Sequence, residues 1–284
     1  KHADIAMYTA KEKGKNQYAF CSDNMKERVE YRVNLANSLY RALERGELRV
    51  YYQPQIDLNS ERITGLEALL RWFHPEMGVI PPSAFIPLAE QTGLINSIGA
   101  WVLETATRQV ALWKAQGLGT LRIAVNLSVA QLRTPGLVAR VAGILERTGI
   151  DPAQVELEIT ESATMREPDY IIRVLSDLKA LGVSISIDDF GTEYSSLNRL
   201  KILPVDKLKM DIQFVRGIDK SPKDQAIAVV IMNLAKNLNL KLVAEGVESS
   251  SQLNFLKQRM CDEVQGFYYC KPMPAEEIEK ILRG

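Results

Sequence analysis

Val183-Ser184-Ile185-Ser186-Ile187-Asp188-Asp189 is a short run of alternating apolar and small polar residues that stops at two adjacent carboxylates. The same arrangement recurs along the chain. Ile63-Thr64-Gly65-Leu66 closes on Glu67, Arg122-Ile123-Ala124-Val125 on Asn126, and Val155-Glu156-Leu157 leads into Glu158. Val205-Asp206-Lys207-Leu208 runs into Lys209 and Asp211, and Leu240-Lys241-Leu242-Val243-Ala244 closes on Glu245. One carboxylate at a strand end is ordinarily solvated or caps a turn. When successive strands of an alternating strand and helix chain all end in a carboxylate, an amide or a lysine, the geometry that gathers them is a parallel barrel seen at its C-terminal face. Two neighbouring carboxylates also repel each other unless a cation offsets them. Oxygen donors in this number are what a hard divalent ion prefers.

Outward from that run, periodicity predicts a connector helix over 24–45, a strand over 48–56 and a second over 63–72 joined by a short turn. Two strands so joined must pair antiparallel, because a parallel pair needs a crossover of about a dozen residues. Alternation is then regular, with helices over 83–91, 97–116, 136–148, 168–181, 223–238, 250–258 and 275–282. Strands are predicted over 121–126, 155–160, 183–187, 207–210, 241–244 and 263–266, with a loop and short helix over 191–201. This is an α/β chain, and eight strands in about 235 residues fit a TIM-like (β/α)8 barrel with an irregular, antiparallel first strand. An open doubly wound sheet is the alternative, but no Gly-x-Gly-x-x-Gly turn follows a first strand.

The chain has 284 residues, 46% apolar and 25% charged, which is ordinary globular composition. Its 35 basic and 35 acidic residues cancel, so no global field argues for DNA or RNA as partner. No apolar run approaches the roughly 20 residues that span a bilayer, and none reads as a signal peptide, so no membrane contact by this segment is expected. Cys21, Cys261 and Cys270 are too scattered for a disulfide framework or a metal pair. A reducing cytoplasm is the expected location. A start at Lys1 rather than Met is read as a piece of a longer polypeptide, leaving room for upstream domains that tether it to a membrane.

Several motifs together carry a resemblance. They are Tyr52-Gln53-Pro54, Glu67-Ala68-Leu69-Leu70-Arg71-Trp72, Phe85-Ile86-Pro87-Leu88-Ala89-Glu90, Val125-Asn126-Leu127-Ser128 and Glu156-Leu157-Glu158-Ile159-Thr160-Glu161-Ser162. The series continues with Asp188-Asp189-Phe190-Gly191-Thr192, Lys209-Met210-Asp211, Ala244-Glu245-Gly246-Val247-Glu248 and Gln265-Gly266. In order and spacing this resembles the EAL domain family, bacterial phosphodiesterases of cyclic di-GMP, over about residues 47–283. Ala3-Asp4-Ile5-Ala6-Met7-Tyr8 with Gly14-Lys15-Asn16 is similar to the end of a GGDEF diguanylate cyclase domain, without that family's catalytic motif. The domain reading is therefore a GGDEF remnant over 1–22, a helical connector over 23–46 and an EAL barrel over 47–284.

The resemblance implies a metal-dependent hydrolase that opens cyclic di-GMP to linear 5′-pGpG using two Mg²⁺ or Mn²⁺ ions, with Ca²⁺ inhibitory. By position, Glu67, Asn126, Glu158 and Asp188 would hold one ion. Asp188, bridging, would hold the other with Asp189 and Glu245. Lys209 would position the attacking water, and Glu245 is a ligand and the family's candidate base. Asp211 would hold Lys209 or a water, Glu161 would secure the loop after the 183–187 strand, and Glu248 would support the site. Gln53, Leu70, Arg71 and Gln265 match substrate positions, Arg71 suiting phosphate because a guanidinium bonds two oxygens at once. A homodimer through the loop and helix after the fifth barrel strand is implied as well.

One residue departs from the family pattern. Glu193 stands where that loop usually carries a second glycine, and a glutamate forced to positive φ costs roughly 1–2 kcal/mol. The alternative function is therefore a catalytically weak EAL domain acting as a cyclic di-GMP receptor. An enolising metal lyase is a further reading that explains neither Arg71 nor Gln53. His2 and His74 read as surface and turn residues, Trp101 and Trp113 as packing groups, and Cys261 and Cys270 as unreactive thiols.

Overall fold

The structure, a computed structural model, describes residues 23–164, 168–192 and 197–283. The expectations for the 1–22 remnant and for Glu193 lie outside the described residues. The chain divides into two compact units, one of residues up to Arg49 with Arg71–Leu94, the other of Val50–Leu70 with Ile95–Gly284.

In the first unit, helix α1 (Asp23–Ala42) packs on helix α2 (Pro82–Thr92). α1 buries Leu35, Leu39 and Ala42, and α2 buries Phe85 and Ala89. Pro81 and Pro82 open α2 where a missing N–H costs nothing, and Gly93 closes it with a left-handed φ of 77°. Trp72, fully buried, meets Phe85 edge to face at 5.5 Å and donates its Nε1 hydrogen to Glu47 at 2.9 Å. A short strand, Gly78–Ile80, pairs antiparallel with Trp72–His74. The intervening turn is held by His74 Nδ1, which accepts from the amides of Glu76 and Met77 at 3.2 Å each. His74, read from the sequence as a turn residue, is instead the buried last residue of β2, and its ring holds the turn that follows.

The second unit is the barrel. Its strands are β1 (Leu48–Asp57) and β2 (Ile63–His74), whose ends extend into the first unit, then β4 (Arg122–Asn126), β5 (Val155–Thr160), β6 (Ser184–Phe190), β7 (Lys207–Met210), β8 (Lys241–Ala244) and β9 (Glu263–Val264), with β3 reserved for Gly78–Ile80. The order β1-β9-β8-β7-β6-β5-β4-β2 is closed by a β1–β2 pairing. β2 and β4 through β9 run parallel, while β1 opposes β9. The eight-stranded barrel with one reversed strand is as the sequence indicated.

The outer helices are α3 (Ile95–Ala115), α4 (Val129–Leu132), α5 (Leu137–Thr148), α6 (Pro168–Ala180), α7 (Leu197–Leu200), α8 (Ile212–Arg216), α9 (Pro222–Asn237), α10 (Ser250–Gln258) and α11 (Ala275–Arg283). Strand residues alternate between them and the barrel axis. Leu66, Ile123, Leu157, Ile185, Leu208 and Val264 are fully buried, whereas Glu67, Glu158 and Lys209 take the opposite parity and face inward. Tyr52 and Trp113 pack edge to face at 5.3 Å, which makes Trp113 the packing group anticipated.

Candidate metal centre and substrate cavity

Register converts strand ends into a site. Asn126 is the Cα partner of Glu158, and Thr160 that of Asp188, so inward side chains of β4, β5 and β6 emerge together at the C-terminal end. Asn126 Nδ2 donates to Glu67 at 2.9 Å and to Glu158 at 3.2 Å. Lys209, with no solvent exposure, brings Nζ to 2.7 Å from Glu245, 2.9 Å from Glu158, 3.2 Å from Asp188 and 3.4 Å from Glu67. Gln265 Nε2 donates to Glu67 and, at 3.0 Å, to Gln53, while its Oε1 accepts from Gln55 at 3.2 Å. These links lock Glu67 in one orientation.

The Asp188-Asp189 pair shows what strand geometry alone cannot do. Neighbours in an unbroken strand face opposite sides. Here the ladder between β6 and β7 shifts register between Ile187 and Phe190, and Asp189 takes a left-handed φ of 54°. That conformation costs on the order of 1 kcal/mol for a residue with a Cβ. The bulge re-aims Asp189, so that oxygens of Asp188, Asp189 and Glu245 lie within 4.8 Å of one another. Oxygens of Glu67, Glu158 and Asp188 form a second such group. Asp188 belongs to both.

Electrostatics tests whether these residues suit divalent cations. Five carboxyl groups, Glu67, Glu158, Asp188, Asp189 and Glu245, gather here, and all but Asp189 reach the ammonium of Lys209, so full ionisation leaves four negative charges uncompensated, the charge of two divalent cations. Without cations, protons take their place. Burial, with Glu67 and other carboxylates adding to it, raises Glu158 well above its ordinary value despite Lys209. Burial and the nearby Asp188 and Glu67 push Glu245 up to about 8. Burial, Asp188 and Asp211 raise Asp189 to about 6. Glu67 alone of the five is lowered, because Lys209, Gln265 and Asn126 outweigh its burial. Lys209 is held well above the usual lysine range, its four carboxylates overcoming complete burial. The donor set fits two hard cations sharing Asp188.

A cavity of about 330 Å³ adjoins this cluster, lined by Gln53, Glu67, Asp188, Glu245, Glu248 and Gln265 among others. Leu69 lines it as well, while Leu70, the residue singled out from sequence, occupies the other parity of β2. The signal for Leu69 was its spacing of two from Glu67. Asp211 does not hold Lys209. It caps α8, accepting from the Gln213 amide at 2.7 Å, and faces Asp189. Glu161 accepts from the Gly191 amide at 2.9 Å, tying β5 to the turn after β6 as anticipated. Arg71 is half-buried and belongs to the first unit. Cys261 is buried, which pushes its thiol up to about 12, and it is no nucleophile.

The EAL domain model matches residues 36–272. MucR of Pseudomonas aeruginosa, a bifunctional diguanylate cyclase/cyclic di-GMP phosphodiesterase, is 46% identical over 277 residues, which are 98% of this chain and 40% of MucR. The cyclic di-GMP phosphodiesterase PdeR of Escherichia coli is 41% identical over 280 residues, 99% of this chain and 42% of PdeR. A solved structure of PaMucR phosphodiesterase in complex with c-di-GMP superimposes with a TM-score of 0.83 at 47% identity, covering 86% of this chain and 99% of that one. The chain spans less than half the length of these curated relatives. With a family match over most of its length and relatives this similar, the chain belongs to the EAL domain family.

Proposed function

We propose that the barrel is a divalent-metal-dependent phosphodiesterase that hydrolyses cyclic di-GMP to linear 5′-pGpG, with Mg²⁺ or Mn²⁺ in the site. The observation that carries this reading is the pair of carboxylate groups joined at Asp188. Two cations held so lower the pKa of a water and neutralise phosphoryl oxygens, which is what hydrolysis of a phosphodiester requires. Glu67, Asn126, Glu158 and Asp188 would hold one, and Asp188, Asp189 and Glu245 the other. Lys209 places its ammonium where four carboxylates converge, and there it would orient the attacking water. Glu245, whose carboxyl burial and neighbouring carboxylates push up to about 8, would release its proton to solvent if cations were held there and would then be free to accept from that water. Gln265 fixes both Glu67 and Gln53, coupling cation and substrate positions. Gln53, Arg71 and, in place of Leu70, the cavity-lining Leu69 are assigned to the nucleotide, and Glu248 and Asp211 to support of the site.

The same reading includes a homodimer through the loop and helix after β6, with Glu161 as the link to that loop, and a GGDEF remnant over 1–22 ahead of a connector over 23–46. No described helix is long and apolar enough to cross a membrane, and Cys261 and Cys270 are unpaired. A cytoplasmic site of action accords with both.

The test is formation of 5′-pGpG from cyclic di-GMP in Mg²⁺ or Mn²⁺, set beside equilibrium binding of the nucleotide in Ca²⁺. Product formation supports the enzyme. Binding without turnover in any of the three cations overturns it in favour of a receptor.

A further inference from the structure

Arg216 ends α8 and lines the substrate cavity with Glu245, Glu248 and Gln265. Its platform is fixed from two sides. Ile212, one turn earlier, sits against Gly246 (φ 67°), where a Cβ would fall 2.1 Å from it. Phe214 sits against Gly191 (φ 96°), where a Cβ would fall 2.8 Å from its ring. α8 is therefore wedged between the loop after β8, which carries Glu245, and the turn after β6, the strand that carries Asp189 near its end. Residues four apart share a helix face, so Arg216 projects on the side where Ile212 meets the Glu245 loop.

Among the described residues Arg216 makes no hydrogen bond or ion pair, and the other ionisable groups lining the cavity, Glu67, Asp188, Glu245 and Glu248, are acidic. A cyclic dinucleotide brings two phosphodiesters, each with one negative charge. The scissile one goes to the cations. The other enters a cavity whose lining, which Arg71 does not join, includes one cation, Arg216. We infer that Arg216 is a substrate-positioning residue that binds the non-scissile phosphate of the cyclic dinucleotide, seating the ring so that its other phosphate reaches the cations. A guanidinium suits that task because its planar fork bonds two phosphate oxygens at once and stays charged at any working pH.

The inference rests on the cyclic dinucleotide reading above, and its test separates the two. Wild type, Arg216→Ala and Arg216→Lys are compared for cyclic di-GMP affinity in Ca²⁺ and for KM and kcat in Mn²⁺. The expected result for Arg216→Ala is a weakening of affinity and a rise in KM of about tenfold, with kcat within about twofold and the Mn²⁺-induced rise in Tm unchanged. Arg216→Lys should fall between. The loss should shrink as salt rises from about 0.05 to about 0.5 M, because a charge pair is screened. Unchanged affinity and KM, or an equal loss in kcat, overturns the inference. A loss that salt does not reduce also overturns it, by assigning Arg216 to a guanine edge instead. Absence of turnover in wild type is a failure of the enzyme reading alone, and the Ca²⁺ affinities then still decide the role of Arg216.

Discussion

The barrel carries two buried polar clusters, one at each end, drawn from nearly the same strands. β5 supplies Glu156 to one and Glu158 to the other, β7 supplies Lys207 and Lys209, β9 with its following residue supplies Glu263 and Gln265, and β4 supplies Arg122 and Asn126. Residues two apart on a strand share a face about 7 Å apart, so the clusters are successive layers of one interior. The lower layer is balanced. Arg122 reaches Glu156 at 3.1 Å and Glu263 at 2.7 Å, and Lys207 reaches Glu156 at 2.7 Å and Glu263 at 3.0 Å. Despite burial, Lys207 and Arg122 together hold Glu263 down to about 2. The upper layer sets five carboxyls against Lys209 and leaves Glu245 at about 8. A layer whose charges cancel within the protein holds the barrel closed. A layer whose charges do not cancel is completed from outside.

Asp188→Asn tests that contrast most severely, since it removes the shared ligand at almost constant volume. Turnover of cyclic di-GMP should fall by about 10³ or more, and the Mn²⁺-induced rise in Tm should largely vanish, by calorimetry. Glu263→Gln should do the reverse. Leaving Lys207 and Arg122 short of a buried partner costs about 3 kcal/mol by urea unfolding, with kcat of the folded fraction unchanged. A stable Glu263→Gln protein with lost turnover would mean the two layers are not separate in role. Lys209→Ala should lower kcat by about 10² while nucleotide affinity in Ca²⁺ is kept. Equal losses in both would make Lys209 a binding residue.

The pH profile gives the smallest and most diagnostic effect. Glu245 has a folded pKa of about 8 against an ordinary 4.5, so its protonated form favours the folded state. That stability is fully present below pH 4.5 and is lost as pH rises through about 8. Cation-free protein should therefore melt progressively lower across that window, and saturating Mn²⁺, which replaces the proton, should flatten the slope. The lower layer has the opposite sign: the depressed Glu263 withdraws its contribution only as pH falls toward about 2.

Much of this was legible in the sequence because strand parity and strand ends are one-dimensional facts. Asn126, Glu158, Asp188, Lys209 and Glu245 converge because each lies at or near the end of a parallel strand in register with the next, and Glu67 joins them from within the longer β2. Asp211 was placed near the site as a holder of Lys209 or of a water, but its capping role was not seen, since a helix of only five residues, Ile212–Arg216, leaves too little periodicity to reveal it. The same brevity concealed Arg216. The lower layer was missed for a different reason: Glu156 and Lys207 end no strand, and nothing in the sequence marks them as buried until barrel closure places both on the inner face with Glu158 and Lys209. The strand Gly78–Ile80 rests on pairing and a histidine-held turn, and three residues carry no pattern.

The bulge at Asp188-Asp189 makes the two cation positions mechanically unequal. Asp188 is anchored by the β5–β6 ladder through its pairing with Thr160. Asp189 owes its aim to one unusual torsion at the start of the turn that Glu161 and Phe214 brace. Glu67, Glu158 and Asp188 stand on strand ladders and do not depend on that torsion. One carboxylate group is thus built on the scaffold alone, while the other also needs the local backbone at Asp189.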